Sequence, residues 1–309
     1  MLKKILTILF TLALLSANSN ILISDKKPLE VAIWKTGKDL YKRSNKEIYT
    51  KGNLIVANKP ITLIKKVEEA NFTIYPAKNK NKDISIVVFP GGGYKVLAID
   101  LEGSEVCEWL TEKGINCILL KYRVPFSGSY WDDKNHKRVI PKIPMALQDA
   151  QRTMGLLRYH SKEWNINPKK IGVLGFSAGG HLVADISTNF KNRSYKKIDL
   201  ADGESCKPNF AISIYPGHML ENTKKEFELN PKIHVTKEIP PTFLLHAQDD
   251  PIDEVQNTLV YYNALKKADV PTELHIYAKG GHAFGLRKTK EPITDWTSLV
   301  EKWVDNLPL

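Results

Sequence analysis

The chain has 309 residues, of which 42% are hydrophobic and 26% are charged, and this balance excludes a disordered or fibrous protein. The length allows one large domain as well as two small ones. The formal net charge is +11, but the lysines are scattered in pairs such as Lys65/Lys66 and Lys169/Lys170. We interpret this as a solvated basic surface and expect no nucleic-acid partner; attraction to acidic polysaccharides stays open.

The first twenty residues predict a secretory signal peptide. Lys3 and Lys4 are followed by an apolar run from Ile5 to Leu15 and by small or polar residues at 16–19. About 11 apolar residues are too few to cross a bilayer, which needs roughly 20. We therefore expect a secreted or periplasmic protein with no stable membrane span after cleavage. An uncleaved signal that tethers the protein is the alternative.

Residues 21–83 are rich in lysine and asparagine and contain two extended patches, at 60–65 and 71–76. These patches could pair as antiparallel strands at the edge of a sheet. No linker separates this segment from residues 84–309, so we expect a single domain. The three cysteines fit neither a disulfide framework nor a zinc site, and we interpret Cys107 and Cys117 as small buried apolar groups.

From residue 84 onward, short apolar runs alternate with helical patterns, which is typical of an α/β fold with a mostly parallel central sheet and helices on both faces. The predicted strands are 84–89, 115–121, 171–176, 210–215, 242–247 and 272–278. The predicted helices are 102–113, 144–161, 178–189, 255–267 and 293–306. Residues 125–144 and 217–241 show no clear periodicity and are expected to be long loops.

The sequence Gly175-Phe176-Ser177-Ala178-Gly179 has the Gly-x-Ser-x-Gly spacing of a nucleophilic serine on a sharp strand-to-helix turn. Chance alone would produce this spacing in roughly one chain in ten of this length. Here, however, a predicted strand precedes it and a predicted apolar helix follows it. We therefore expect Ser177 to be a nucleophile.

A serine hydroxyl needs a base to remove its proton and a third group to orient that base. In this fold the partners follow in the order Ser, then Asp or Glu, then His, at the carboxyl ends of strands. Asp249 and Asp250 follow the predicted strand 242–247, and His282 follows the strand 272–278 in a glycine-flanked loop. The spacing alone does not separate the two carboxylates.

Other histidines fit the base less well. His275 lies inside a predicted strand, and His181 lies one turn into the helix that follows Ser177. His246 lies at a strand end beside the aspartates, where a structural hydrogen bond is the expected role. His282 is the candidate base, and catalytic residues Ser177, Asp250 and His282 form the predicted triad.

Three consecutive glycines follow the strand 84–89 in Pro90-Gly91-Gly92-Gly93-Tyr94. Glycines can turn their N–H groups towards a site without steric cost. We expect Gly92, Gly93 and the N–H of Ala178 to form an oxyanion hole. A phosphate-binding loop would need a following Lys-Ser/Thr, which this sequence lacks.

Seven motifs together resemble the carbohydrate-esterase branch of the α/β-hydrolases, which includes acetyl-xylan-esterase-like and feruloyl-esterase-like proteins. They lie at 89–94, 102–103, 120–125, 149–152, 175–181, 246–251 and 280–285. The resemblance covers about residues 84–309. It implies removal of acetyl or aryl acyl groups from plant cell-wall polysaccharide, without a metal or organic cofactor. It also places the orienting acid directly before a Pro-hydrophobic pair, which selects Asp250 ahead of Pro251-Ile252.

One departure from the family pattern lies beside this acid, because relatives often have Val-Pro where this chain has Asp253-Glu254. We expect this departure to affect the geometry of the loop and the preference for the acyl group, but not the triad. The alternatives are a peptidase of the prolyl-oligopeptidase type, which usually carries an additional propeller domain, and a non-catalytic sugar-binding protein of the same fold. A broken triad would indicate the latter, and all three positions are intact.

Three aromatic residues are candidates for contact with a saccharide, because sugar rings stack on aromatic faces. They are Tyr94 in the glycine loop and Tyr130 and Trp131 in the predicted loop 125–144. The alternative is that these side chains pin their loops to the body of the protein.

Overall fold

The structure is a computed structural model that describes residues 27–41, 47–125, 128, 130–132, 134–139, 144–220 and 227–309. The predicted signal peptide lies outside the described residues. Across the described ranges, no helix combines the length and the apolar character that a membrane span requires.

Thirteen strands and five α-helices make up the regular structure of the described residues. The strands are β1 (Leu29–Ala32), β2 (Tyr49–Val56), β3 (Lys59–Ile64), β4 (Asn71–Tyr75), β5 (Ser85–Phe89), β6 (Leu97–Ala98), β7 (Asn116–Lys121), β8 (Tyr130–Asp132), β9 (Lys137–Val139), β10 (Ile171–Phe176), β11 (Ala211–Ile214), β12 (Thr242–Ala247) and β13 (Thr272–Tyr277). The helices are α1 (Glu105–Glu112), α2 (Met145–Tyr159), α3 (Ala178–Thr188), α4 (Gln256–Lys267) and α5 (Trp296–Asp305). Short 3-10 turns lie at Gly37–Tyr41, Leu200–Gly203 and Pro292–Asp295, and a π-helical turn at Asp100–Ser104 precedes α1.

An eight-stranded sheet forms the centre of the fold, in the order β1-β4-β7-β5-β10-β11-β12-β13. Strands β7, β5, β10, β11, β12 and β13 pair in parallel with their neighbours in this order, whereas β4 is antiparallel to both β1 and β7. The six predicted strands agree with β5, β7, β10, β11, β12 and β13 to within one residue at each end. The predicted α/β fold with a mostly parallel central sheet is thereby confirmed.

The central strands are apolar along their whole length because both faces of the sheet are covered. Every residue of β5, β7, β10, β11 and β12 is buried. Successive side chains of a strand point to opposite faces, so continuous burial requires packing on both sides. The last strand, β13, lies at the edge of the sheet and is only partly buried.

The two extended patches before residue 84 are both strands, but they do not pair with each other. The second patch is β4, which lies between β1 and β7 in the main sheet. The first is β3, which pairs with β2 and β6 in a separate three-stranded sheet. The prediction of a β3–β4 pair at the sheet edge was wrong because β2, which has no clear pattern in the sequence, supplies the partner of β3.

The two predicted long loops differ from each other. The segment 125–144 contains a short antiparallel hairpin formed by β8 and β9. In the segment 217–241, the described residues form an isolated bridge between Leu220 and Leu229. The hairpin strands have three residues each, too few for an alternating pattern to be recognised.

Cys107 of α1 and Cys117 of β7 form a disulfide, which corrects the interpretation of both as merely small buried apolar groups outside any disulfide. Their Cα atoms are 5.1 Å apart because α1 packs directly against the strand that follows it. The separation of 10 residues in sequence did not reveal this contact, which depends on how the turn at 113–115 reverses the chain. Cys206 is the free cysteine and is buried.

We expect the disulfide to stabilise the fold. Closing a loop of about ten residues restricts the unfolded chain, so the double variant Cys107→Ala/Cys117→Ala should lose about 2–3 kcal/mol of unfolding free energy. Denaturation with guanidinium chloride, followed by far-UV circular dichroism, measures the difference. Wild-type protein treated with dithiothreitol is the control and should match the double variant. An unchanged midpoint under both treatments would show that the disulfide contributes no stability.

Candidate active site

Ser177 occupies a strained turn between β10 and α3. Its φ of +52° lies in the left-handed region, which is unusual for a residue other than glycine. The two glycines of the motif permit this turn. A Cβ on Gly175 would lie 2.1 Å from the carbonyl oxygen of Gly179, and one on Gly179 would lie 2.0 Å from that of Phe89. The Gly-x-Ser-x-Gly spacing is thus a requirement for close backbone approach around the serine.

Asp250 and His282 meet beyond the ends of β12 and β13. The Nδ1 atom of His282 lies 2.7 Å from Oδ2 of Asp250. Because an ionised carboxylate only accepts hydrogen bonds, Nδ1 carries the proton and Nε2 of the neutral ring is left as an acceptor. This is the tautomer that a general base requires.

The adjacent Asp249 has a different role from Asp250. Its Oδ1 atom accepts hydrogen bonds from the N–H groups of Gly280 (2.9 Å) and Gly281 (2.8 Å). Asp249 therefore anchors the loop that carries His282, while Asp250 contacts the imidazole. The structure thus distinguishes the two carboxylates by their contacts, which the spacing in the sequence did not.

Hydrogen bonds keep Asp250 ionised although its side chain is buried. Burial alone would raise its pKa, but the hydrogen bonds from His246, His282 and the backbone N–H of Ile252 outweigh this effect and lower the pKa below its usual range. The N–H of Asp253 also donates to this carboxylate, at 3.0 Å. The Nε2 atom of His246 also lies 2.8 Å from the carbonyl oxygen of Asp253, so it is the protonated nitrogen of that ring. His246 thus has the structural role expected of it.

The pKa of His282 is raised above its ordinary value. Burial opposes the positive charge and lowers the pKa, but the hydrogen bond that His282 donates to Asp250 and the nearby charges of Asp253, Asp250 and Glu102 together outweigh burial. The imidazolium that forms when the ring takes up a proton is therefore stabilised by its carboxylate neighbours.

Asp253 lies between the serine and the histidine, which the sequence did not predict. The hydroxyl of Ser177 donates to its Oδ2 atom at 3.2 Å, and the same oxygen lies 3.9 Å from Nε2 of His282. Burial raises the pKa of Asp253, and the positive charge of His282 opposes that rise. The signal in the sequence was the departure from the family pattern at this position.

The glycine loop lies directly against the nucleophile. A Cβ on Gly91 would be 2.9 Å from Cβ of Ser177, and Gly92 and Gly93 adopt φ values of +131° and +62°. A side chain on Gly92 would also collide with the backbone of Val96, at 2.2 Å. These glycines stand beside Ser177, as an oxyanion hole requires. The direction of their N–H groups towards a substrate stays a prediction, as does that of Ala178.

The buried carboxyl group of Glu102 forms a hydrogen bond with the backbone of this glycine loop. Its Oε2 atom accepts from the N–H of Gly91 at 2.7 Å, and its Oε1 atom accepts from the hydroxyl of Tyr215 at 2.9 Å. Burial raises the pKa of Glu102, although the charge of His282 and these two hydrogen bonds act in the opposite direction. The ring of Tyr215 in turn lies 4.9 Å from that of His282. In the sequence, Glu102 was recognisable only as part of the motif at 102–103, which contributes to the family resemblance.

Tyr94 does not have the surroundings expected of a sugar-stacking residue. Its side chain is 1% exposed, and its hydroxyl lies 2.8 Å from Nδ1 of His181. Its ring therefore packs inside the protein and fixes the end of the glycine loop, which was the alternative role. Tyr130 and Trp131 lie in strand β8, and their side chains are outside the described part of the chain.

The raised pKa of His282 leads to a pH dependence. The ring must be neutral to accept the serine proton, so kcat/KM should fall as the pH drops through the pKa of His282. We expect the half-maximal point of this acidic limb to lie above the ordinary histidine value of about 6.5. Initial rates on nitrophenyl acetate between pH 4.5 and pH 9 measure it. A limb centred below pH 6, in protein that remains folded, would contradict a histidine surrounded by carboxylates.

The different partners of the two adjacent aspartates predict different effects of the same substitution. Asp250→Asn should lower kcat by roughly four orders of magnitude, because an amide favours the wrong imidazole tautomer. Asp249→Asn retains a carbonyl oxygen for the two glycine N–H groups, so we expect a loss of about tenfold or less. Steady-state kinetics on nitrophenyl acetate, with melting temperatures as a folding control, compare the two variants. The reverse ranking would assign the orienting role to Asp249.

Comparison with known proteins places this geometry in a family. The model of the prolyl oligopeptidase family matches residues 108–307. The chain is 31% identical over 226 residues to an acetylxylan esterase of Xylanibacter ruminicola, covering 65% of this chain and 41% of the relative. It is 25% identical to endo-1,4-beta-xylanase B of Butyrivibrio fibrisolvens, covering 69% of this chain and 35% of that protein. The chain thus spans less than half the length of these curated relatives.

One solved structure is matched over a larger share of its own length than these two relatives are. The acetyl ester-xyloside bifunctional hydrolase from Caldicellulosiruptor lactoaceticus is 35% identical, with a TM-score of 0.64, covering 77% of this chain and 88% of that one. The resemblance to acetyl-xylan-esterase-like α/β-hydrolases is confirmed, and the predicted enzyme class, a carboxylic ester hydrolase, agrees with these relatives. Because the family model covers more than half of the chain, the protein belongs to the prolyl oligopeptidase family of α/β-hydrolases.

Proposed function

We propose that this protein is an exported serine esterase that removes short acyl groups, acetyl above all, from plant cell-wall polysaccharide of the xylan type. The observation that carries the proposal is the cluster at the carboxyl edge of the sheet. There, Ser177 lies on a strained turn, and Nδ1 of His282 is bound to Asp250 at 2.7 Å.

The proposed mechanism is acyl transfer through a covalent serine ester. His282 takes the proton of Ser177 as the hydroxyl attacks the ester carbonyl, and the N–H groups of Gly92, Gly93 and Ala178 stabilise the oxyanion. The protonated ring then gives its proton to the departing alcohol. Water activated by the same ring releases the acid, while Asp250 stays ionised throughout and orients the imidazole.

The choice of ester and polysaccharide is supported by the relatives. An acetylxylan esterase, a xylanase and an acetyl ester-xyloside hydrolase are similar to this chain, and their names share xylan chemistry. The family also contains peptidases, so cleavage of a peptide bond is the second candidate. We favour the ester because two of these three proteins are named for ester hydrolysis.

Two features support export. The N-terminal sequence has the basic head and apolar run of a signal peptide. The Cys107–Cys117 disulfide is of the kind that forms and persists in oxidising compartments and is rare in the cytosol.

Hydrolysis of a panel of esters tests the proposal. Purified protein should release acetate from acetylated xylan and should hydrolyse nitrophenyl acetate with a higher kcat/KM than nitrophenyl octanoate. Acetylated pectin, methyl ferulate and a proline-containing peptide amide complete the panel. A fluorophosphonate probe should label the wild-type protein covalently.

The matched control is Ser177→Ala, which should lower kcat by roughly a millionfold and abolish labelling, as expected when a triad nucleophile is lost. Faster turnover of the peptide amide than of every ester would establish the peptidase instead. Preference for acyl chains of eight carbons or more would indicate a lipase-like specificity.

A further inference from the structure

The carboxylate of Asp253 lies at the catalytic centre, but acyl transfer by the triad does not use it. Its Oδ2 atom accepts from the hydroxyl of Ser177 at 3.2 Å and lies 3.9 Å from Nε2 of His282. The nucleophile and the base therefore face the same carboxylate oxygen. Its side chain is 19% exposed, so a molecule bound at Ser177 can reach it.

The surrounding backbone holds Asp253 in this position. Its N–H donates to Oδ1 of Asp250 at 3.0 Å, and its carbonyl oxygen accepts from Nε2 of His246 at 2.8 Å. Its carboxylate also packs against Gly217, where an added Cβ would lie 2.4 Å from Oδ1. Glycine at position 217 thus leaves the space that the carboxylate fills.

The position of Oδ2 of Asp253 relates this oxygen to the alcohol side of the ester substrate. In acyl transfer the departing alcohol takes its proton from Nε2 of the base, so the alcohol oxygen must lie next to Nε2 of His282. A group on the alcohol, close to the ester, is then close to Oδ2 of Asp253. A negative charge on this group would be repelled by the carboxylate of Asp253. The repulsion between two charges a few ångströms apart is stronger where the site is partly shielded from water.

We propose that Asp253 is a specificity-determining residue that selects substrates by charge on the alcohol side of the ester. Esters of neutral sugar hydroxyls are accepted, and esters whose alcohol carries a carboxylate, as in uronic acids, are rejected. This inference rests on the proposed ester hydrolysis and narrows its substrate class to neutral saccharides. The basic surface of the protein can attract an acidic polymer, but the catalytic centre discriminates against its acidic units.

Three acetate esters that differ in charge test the proposal: acetylcholine, its uncharged isostere dimethylbutyl acetate, and the anionic acetoxybutanoate. For the wild-type protein, kcat/KM for the neutral ester should exceed that for the anionic ester by about tenfold or more. Asp253→Asn, which keeps the shape and removes the charge, should reduce this ratio about tenfold by improving the anionic substrate. It should also remove any advantage of acetylcholine over its isostere.

Glu254→Gln is the matched control, because it removes one negative charge from the adjacent, exposed position. It should leave the ratios unchanged. Asp253→Ala removes the charge without introducing an amide and serves as the second variant if the asparagine protein is unstable. Melting temperatures and circular dichroism establish the fold of each variant.

The pH profile provides a readout that a structural role would not change. The titratable groups that face His282, directly or through Asp250, are Asp250, Asp253, Glu102, Tyr215 and His246. Removing the charge of Asp253 should lower the apparent pKa of the acidic limb of kcat/KM, because one carboxylate that stabilises the imidazolium is lost. Glu254→Gln should leave the limb in place.

Equal loss of activity on all three esters in a folded Asp253→Asn protein, with unchanged ratios, would overturn the charge-selection proposal and leave the esterase standing. Unchanged ratios with undiminished activity would do the same. Failure of the wild-type protein to hydrolyse any ester would overturn the proposed function, and the selection proposal with it.

Discussion

The hydrogen bonds to the carboxylate of Asp250 are the interaction on which the catalytic end of the molecule depends. One oxygen lies 2.7 Å from His282 and 3.2 Å from His246, and the other accepts the N–H groups of Ile252 and Asp253. A buried charge is tolerated only when such donors compensate for its lost hydration. The same donors fix the loop after β12, so the orientation of His282 and the position of Asp253 have one common cause.

Close backbone approach is the second constraint, and it links Ser177 to the glycine loop after β5. The carbonyl oxygen of Phe89 at the end of β5 lies where a side chain on Gly179 would stand. The loop after β5 is therefore pressed against the start of α3. Gly91 is held from the other side by Glu102, which also binds Tyr215 next to the ring of His282. A shift in any one of these segments would move the others.

The sequence allowed prediction of features that depend on local pattern. Five strands of the parallel part of the sheet were recognisable because nearly continuous apolar runs are typical of strands buried on both faces, namely β5, β7, β10, β11 and β12. Ser177 and His282 were recognisable because glycines flank them at the ends of such strands. In each case the information lies within about ten residues of the feature.

Features that depend on contacts between distant segments could not be predicted in this way. The partner of β3 is β2, which carries no strong pattern, and the Cys107–Cys117 disulfide depends on the packing of α1 against β7. Tyr94 was a candidate for contact with a sugar because it is aromatic and lies in the glycine loop, but it adopts a positive φ and its buried side chain contacts His181. Positive φ at a residue other than glycine is not apparent from the sequence.

Asp253 shows how one side chain can change a site whose framework is intact. The turn that carries it is fixed by backbone hydrogen bonds to Asp250 and His246, and these bonds do not depend on the side chain at position 253. The contact between Asp250 and His282 can therefore be retained while the group beside Ser177 varies. A carboxylate there requires glycine at position 217, since any larger residue would occupy its space. The two positions are thus coupled by packing, although 35 residues lie between them in sequence. In this chain the hydrogen bonds hold Asp250, His246 and His282 together, and the packing of Asp253 against Gly217 places a second carboxylate beside Ser177.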